Sequence, residues 1–280
     1  MTAWHRDDAA DPVRIGPIGW VLLALRIPAL AIVSYGGLLI LLILRAVEAP
    51  FFSPDRPVTP WITRGVCRAS LAILGLRYRV RGRPMQVRGA VVANHSTWLD
   101  IFALNACQSV YFVSKAEVAR WAGIGWLARA TGTVFIARDP KKAKDQQAEF
   151  EARIRAGHKL LFFPEGTSTD GRGVLPFKPT LFAAFFTHGL EQVMQIQPVT
   201  VIYRAPKGRS PRFYGWWGGM DFVPHFLVVA AQWPQGSVEV VFHDPVAVDG
   251  FADRKKLAGH SERVVRSALS AALGPEGWAP

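Results

Sequence analysis

The chain has 280 residues, 50% apolar and 11% aromatic, which is enough for the core of a large α/β domain and excludes a disordered chain. Arg and Lys outnumber Asp and Glu by 33 to 21, and the formal charge of +12 favours an anionic partner, either nucleic acid or a membrane surface. No nucleic-acid-binding motif and no interleaving of basic and aromatic residues accompanies this charge, so no nucleic acid is expected.

The N-terminal region is predicted to attach the chain to a membrane. Residues 27–44 form an uncharged, mostly apolar run of eighteen residues, close to the roughly 20 that a spanning helix needs. The apolar pattern begins upstream, at about residue 17, and is interrupted by Arg26 and Pro28. One tilted span and a kinked helical hairpin in one leaflet both fit this pattern.

Two other interpretations exist for this segment. A signal peptide fits less well, because the run is long and residues 45–48 lack a cleavage site of small residues. A buried helix of a soluble protein is the other. Basic residues follow the run closely, at Arg45, Arg56, Arg64 and Arg68, and predict attachment to the cytoplasmic membrane with the following domain on the cytoplasmic face.

Beyond a proline-punctuated linker, apolar patterns of helical and strand period alternate. This alternation predicts an α/β fold with a mixed, largely parallel sheet flanked by helices. Helices are predicted at 61–74, 97–107, 118–130, 140–156 and 254–273, and strands at 76–82, 90–93, 110–114, 133–136, 159–163, 195–203 and 237–242.

The loop after the strand 90–93 carries a histidine and a carboxylate, His95 and Asp100. Thr97-x-x-Asp100 is similar to a helix capping box, so Asp100 could simply close the helix start. Alternatively, the carboxylate could hydrogen-bond the imidazole, fix its tautomer and stabilise the imidazolium that forms when the other nitrogen takes a proton. The second interpretation requires a hydroxyl on which the pair acts.

Two further loops carry polar residues. Glu165 lies between a proline and a glycine directly after the strand 159–163, where burial of its charge is costly unless something binds it. Gly166 allows close backbone approach to a ligand, and Thr167 adds a hydroxyl. Arg138 ends the strand 133–136, where its guanidinium can hold an anionic group. An ordinary turn and a solvated surface charge are the alternatives.

Taken together, these loops resemble the lysophospholipid acyltransferases of the 1-acylglycerol-3-phosphate acyltransferase type. The family's motifs stand here as N-H-x-x-x-x-D at 94–100, G-x-x-F-I-x-R at 132–138, F-P-E-G-T at 163–167 and an apolar strand with a proline at 196–199. The resemblance covers roughly residues 75–245. The predicted organisation is a membrane-attachment segment at 1–49, a linker and amphipathic helix at 50–75 and an acyltransferase domain at 76–280.

The resemblance implies that His95 is the general base on a lysolipid hydroxyl and that Asp100 orients it, without a covalent intermediate. It implies that Arg138, Glu165, Gly166 and Thr167 bind the acceptor's head group, and Lys178 is a further candidate for this contact. The co-substrate would be an acyl thioester of acyl carrier protein or coenzyme A, and no cofactor is expected. The scattered histidines and cysteines lack ligand spacing, so no metal is expected either.

One position departs from the family pattern. Members that accept a phosphate usually continue Glu-Gly-Thr with an arginine, whereas this chain has Ser168. The segment 168–178 looks like that of the bacterial lyso-ornithine lipid acyltransferases, and either acceptor remains open. Two other functions also remain open: a non-catalytic lipid-binding or scaffold protein of the same fold, and a membrane thioesterase with water as acceptor.

Overall fold

The computed structural model describes residues 14–52, 55–121, 123–136, 143–186, 190–192 and 194–274. The helices are α1 (Pro17–Phe52), α2 (Thr59–Leu74), α3 (Leu99–Cys107), α4 (Ile124–Ala130), α5 (Ala143–Arg155), α6 (Phe222–Ala231) and α7 (Arg254–Leu273). The strands are β1 (Arg77–Arg81), β2 (Gly89–Ala93), β3 (Tyr111–Lys115), β4 (Val134–Ile136), β5 (Leu160–Phe162), β6 (Gln195–Arg204), β7 (Ser237–Phe242) and β8 (Val246–Ala247).

All eight strands form one sheet in the order β1-β7-β6-β2-β5-β3-β4, with β8 paired to β6. Strand β2 runs parallel to both of its neighbours, β5 and β6, and β3 continues the parallel arrangement. Strands β7 and β8 pair antiparallel to β6. The predicted mixed, largely parallel sheet with flanking helices is therefore confirmed.

The two faces of the sheet carry different layers. Helices α2, α3 and α6 cover one face, and α1 packs outside them on α2 and α6. Helix α7 and a 3-10 helix at Pro179–Phe186 cover the other face. Because β2, β3, β5 and β6 are parallel, their carboxyl ends meet at one edge, where the loops with His95 and Glu165 begin.

Helix α1 is a single helix of 36 residues, about 54 Å long. The hairpin considered for residues 17–44 is therefore not formed. Within the described residues it is the one helix long and apolar enough to cross a bilayer. Its outer face exposes large apolar side chains, which indicates membrane association: Leu25, Ile32, Leu39 and Ile43 are among them.

The inner face of α1 is fixed to the domain by a buried arginine. The Arg26 guanidinium donates hydrogen bonds to the carbonyls of Ala230 (2.7 Å) and Gln232 (2.9 Å) at the end of α6. Further along α1, Gly37 faces Val66 of α2, and the absence of a side chain there lets the two helices approach closely.

The structure differs from the predicted elements in two places. The helix predicted at 118–130 is a 3-10 helix (Ala116–Arg120) followed by α4, because Gly123 adopts φ 71°, a left-handed conformation that interrupts a helix. Helix α6 and the 3-10 helix at Pro179–Phe186 were not predicted, since both segments are apolar on all sides and show no helical period. The first residues of the helix predicted at 140–156 lie outside the described residues.

We expect Gly37→Leu to lower the free energy of unfolding by about 1–3 kcal/mol, because the added side chain would overlap Val66. Gly36→Leu is the matched control, since nothing lies within 4 Å of a Cβ at Gly36. Thermal unfolding of both variants in detergent measures the difference. Equal melting temperatures would show that α1 and α2 do not pack closely in solution.

Candidate active site

Asn94 fixes the point at which the chain leaves β2. Its amide nitrogen donates to the carbonyl of Val201 (2.9 Å), and its amide oxygen accepts from the backbone N–H of the same residue (2.8 Å). Since Asn94 is buried, this pair of bonds extends the β2–β6 pairing with a side chain. The next residue, His95, therefore starts from a fixed position at the sheet edge.

His95 and Asp100 are in direct contact. The Nδ1 atom of His95 lies 2.7 Å from Oδ2 of Asp100, whose side chain is fully buried, while the imidazole is 20% exposed. The carboxylate favours the tautomer with a proton on Nδ1, which leaves Nε2 as the acceptor. Nε2 makes no hydrogen bond with any residue that the structure describes, and the ring of Phe163 stacks on the imidazole at 4.0 Å.

The same oxygen of Asp100 also accepts hydrogen bonds from the backbone N–H groups of Ser96 (2.8 Å) and Thr97 (3.1 Å). The carboxylate of Asp100 therefore binds two backbone amides of the loop before α3 and the imidazole at the same time. Three donors on one oxygen stabilise its negative charge in a buried position.

Glu165 connects the two loops that carry the motifs. Its Oε1 accepts from the backbone N–H of His95 and its Oε2 from that of Leu175, both at 2.7 Å. Burial raises the pKa of Glu165 to about 8, although these two amides act in the opposite direction. Both oxygens thus hold backbone groups. A contact of Glu165 with an acceptor's head group stays a prediction.

Other predicted site residues surround Glu165. Gly166 has φ 73° and closes a turn with its N–H donating to the carbonyl of Phe163 (3.0 Å). The ammonium of Lys178 donates to the carbonyl of Glu165 (2.6 Å), and Thr167 follows Gly166 in the same loop. The structure therefore brings Glu165, Gly166, Thr167 and Lys178 close to the His95 loop. Arg138 lies outside the described residues.

Several contacts around this loop have no signal in the sequence. The backbone N–H of Thr169 donates to the carbonyl of His95 (2.9 Å), and that of Trp216 donates to the carbonyl of Ser96 (2.8 Å). The indole N–H of Trp98 donates to Nδ1 of His225 (3.0 Å). Burial lowers the pKa of His225 to about 4. These partners are far apart in the chain, so only the tertiary structure shows them.

Tyr203 of β6 is a further neighbour of Asp100. Its buried hydroxyl and Oδ1 of Asp100 each lack a hydrogen bond of ordinary geometry within the described part of the chain. The two groups nevertheless interact. Burial is the main cause that raises the pKa of Tyr203 well above its usual range, and the charge of Asp100 raises it further. Among the described residues, no group of three or more His, Cys, Asp or Glu is placed to hold a metal ion.

Comparisons with known proteins identify the family of this chain. The family model described as Acyltransferase matches residues 77–202, which include the loops of His95 and Glu165. The chain is 64% identical over 247 residues to the lyso-ornithine lipid O-acyltransferase of Rhodobacter capsulatus, covering 88% of this chain and 90% of that protein. It is 32% identical to the protein of that name from Rhizobium meliloti, covering 90% and 87%.

A solved structure shows the same fold. The crystal structure of the 1-acyl-sn-glycerophosphate acyltransferase PlsC from Thermotoga maritima matches with a TM-score of 0.64 and 21% identity, covering 94% of this chain and 98% of that one. The chain therefore belongs to the acyltransferase family, and it is an acyltransferase.

The high pKa of Glu165 predicts a pH-dependent contribution to stability. Its pKa is about 8 in the folded chain against an ordinary 4.5, so between these values the folded state holds more protons than the unfolded state. Stability contributed by this group is then present below about pH 4.5 and is lost as the pH rises to 8. Glu165→Gln removes this titration.

We therefore expect Glu165→Gln to be less stable than the parent chain, by about 1–3 kcal/mol at pH 5, because its amide nitrogen would face a backbone N–H. The difference should shrink as the pH is raised from 5 to 8. Melting temperatures in detergent across this range test the expectation. Glu117→Gln, at an exposed position, should show no such trend. A difference for Glu165→Gln that stays constant with pH would contradict it.

Proposed function

We propose that this enzyme transfers a fatty acyl group from an acyl thioester to the free hydroxyl of lyso-ornithine lipid, with His95 as the general base. The observation that carries the proposal is the 2.7 Å contact between His95 Nδ1 and the buried carboxylate of Asp100. It leaves Nε2 of the partly exposed imidazole as the nitrogen that can accept the proton of a lipid hydroxyl.

The reaction follows from this geometry. Nε2 of His95 takes the proton of the hydroxyl while its oxygen attacks the thioester carbonyl carbon. The resulting imidazolium is stabilised by the carboxylate of Asp100, which the amides of Ser96 and Thr97 hold in place through the same oxygen. When the tetrahedral intermediate collapses, the C–S bond breaks and the imidazolium returns its proton to the leaving thiolate. No acyl-enzyme is formed.

Lyso-ornithine lipid is favoured as the acceptor by the relatives and by one residue. The proteins that are 64% and 32% identical over nearly the whole chain both carry the name of lyso-ornithine lipid O-acyltransferases. Ser168 replaces the arginine of phosphate-accepting members, and the guanidinium of Arg172 donates to the carbonyl of Leu273 (3.2 Å). Lys178 and Arg138 are the cations we assign to the acceptor's carboxylate.

Helix α1 holds the enzyme at the membrane surface. Its inner face contacts α2 and α6 from Gly19 to Leu41, a length of about 33 Å that equals the hydrocarbon thickness of a bilayer. Crossing the bilayer would draw α2 and α6 into hydrocarbon as well. We infer that α1 lies in one leaflet with its outer apolar face in the lipid, on the cytoplasmic side where thioester donors are made.

The first test measures acyl transfer in mixed micelles with a radiolabelled acyl carrier protein thioester. We expect diacyl product with lyso-ornithine lipid, and a loss of about 10²–10⁴-fold in kcat for His95→Ala and Asp100→Asn. His260→Ala, at a partly buried histidine of α7, is the matched control and should keep full activity.

The alternatives give different results in the same assay. Preference for lysophosphatidic acid would overturn the assigned acceptor. Release of free fatty acid without any acceptor would indicate a thioesterase. Unchanged product formation by His95→Ala would refute the general base, and no product with any acceptor would leave a lipid-binding or scaffold role.

The membrane assignment has its own test. We expect Ile32→Asp/Leu39→Asp, on the exposed face of α1, to reduce flotation with anionic phospholipid vesicles about tenfold or more, because both changes place charge in the lipid. Val80→Asp/Val87→Asp adds the same charge at exposed positions away from α1 and should float normally. Equal flotation of the two variants would show that α1 does not insert.

A further inference from the structure

A basic groove lies on the face of the sheet that α7 covers. It encloses roughly 670 Å³ and is lined by three arginines of β1 and one of β6, together with Glu239 of β7 and alanines of α7. We call it the arginine groove: Arg77, Arg79, Arg81, Arg204 and Glu239. The described site around His95 does not use any of these residues.

The charges in the groove do not balance. Glu239 pairs with Arg81 (3.4 Å) and with Arg204 (3.2 Å), and it is the one acidic side chain in the lining. Arg79 is exposed, and its guanidinium makes no hydrogen bond or ion pair with any residue in the described ranges. Burial and the neighbouring Arg81 lower the pKa of His243, which therefore adds no charge near neutral pH. The groove keeps a clear positive excess.

Protection of an exposed edge strand is the simpler explanation of arginines on β1, since charge at a sheet edge opposes association with another edge. It does not account for Arg204, because β6 lies two strands in from the edge. It also does not account for the concave shape, to which Ala268, Ala271 and Ala272 of α7 contribute an apolar wall. Positive charge around a partly apolar cleft is suited to binding an acidic partner.

The position of the groove excludes lipid as that partner. Helix α1 packs on α2 and α6, on the opposite face of the sheet from α7. A membrane that holds the exposed face of α1 cannot reach the arginine groove at the same time. The partner is therefore soluble.

The groove nevertheless lies close to His95. Arg204 is three residues beyond Val201 on β6, about 10 Å from the backbone that Asn94 binds. On the other side of the groove, the carbonyl of Leu273, next to Ala272, accepts a hydrogen bond from Arg172 of the Glu165 loop. A partner seated in the groove is thus within reach of the imidazole for a flexible thioester arm.

We propose that the arginine groove docks the acidic face of the carrier protein that delivers the acyl thioester. This proposal rests on the proposed function, because it takes a thioester as the donor. Arg79 and Arg81 provide the exposed charges that attract the carrier.

Steady-state kinetics with two acyl donors test the proposal. The groove variant is Arg79→Glu/Arg81→Glu. The control is Arg254→Glu/Lys255→Glu, which makes the same charge change at the opposite end of α7. Both variants are assayed with the same acyl chain on acyl carrier protein and on coenzyme A. We expect the groove variant to raise KM for the carrier thioester about tenfold or more, with kcat unchanged and KM for the coenzyme A thioester within about twofold. Added salt should also raise the KM of the parent enzyme for the carrier thioester, because salt screens the attraction between the charges.

An equal rise of both KM values, a rise for coenzyme A alone, or no change would each overturn the proposal. Reduced vesicle flotation of the groove variant would overturn it as well, since the groove would then face lipid. Arg79→Gln, at a side chain without partners in the described ranges, repeats the test should the double variant fold poorly.

A binding measurement separates this proposal from the proposed function. Fluorescence anisotropy of labelled acyl carrier protein is measured with the full chain carrying His95→Ala, in detergent, with and without the groove substitutions. Binding that is lost on Arg79→Glu/Arg81→Glu supports the docking surface even if no acceptor is acylated. Binding that is absent, or that survives the groove substitutions, refutes it whatever the activity.

Discussion

The carboxylate of Glu165 joins the loops that follow β2 and β5, and the geometry around His95 depends on it. The two strands are parallel, with Val92 opposite Phe162, so His95 and Glu165 lie opposite each other three residues past the last paired residues. There the backbone ladder has ended, and the N–H of His95 would be buried without a partner. The side chain of Glu165 provides one and takes a second N–H, from Leu175.

Glu165 binds the backbone of His95, and Asp100 binds its side chain. One oxygen of Asp100 receives the imidazole and two backbone amides, so the loop before α3 and the orientation of the imidazole are set by the same atom. A substitution that removes this oxygen therefore changes the local fold and the position of the His95 side chain together.

Under the proposed function, the sheet separates the acceptor and the donor of the acyl group in space. Helix α1 presents apolar side chains on one face, and the arginine groove presents positive charge on the other, while the site opens at the shared edge. A lipid acceptor arriving from the membrane and a donor arriving from solution would then approach His95 from different directions. Neither has to leave for the other to bind, which fits direct transfer without an acyl-enzyme.

The sequence by itself determined the strands, the parallel α/β arrangement and the three loops that carry the motifs, because apolar periodicity and motif spacing are local properties. The residues alone left open whether Asp100 pairs with His95 or only closes the helix start, and the pair followed from the resemblance to the acyltransferases. The sequence did not predict α6, which is mostly apolar, and it left open a hairpin within α1 that is not formed.

Only the tertiary structure decided which distant residues complete the site. Strand order and register bring distant segments together at three contacts. Tyr203 lies next to Asp100, Trp216 binds Ser96, and Glu165 accepts a hydrogen bond from the backbone of His95. The arginine groove has the same origin: β1, β6 and β7 are remote in the chain but adjacent in the sheet. Local patterns carry no information on such pairings, because they depend on which strands become neighbours.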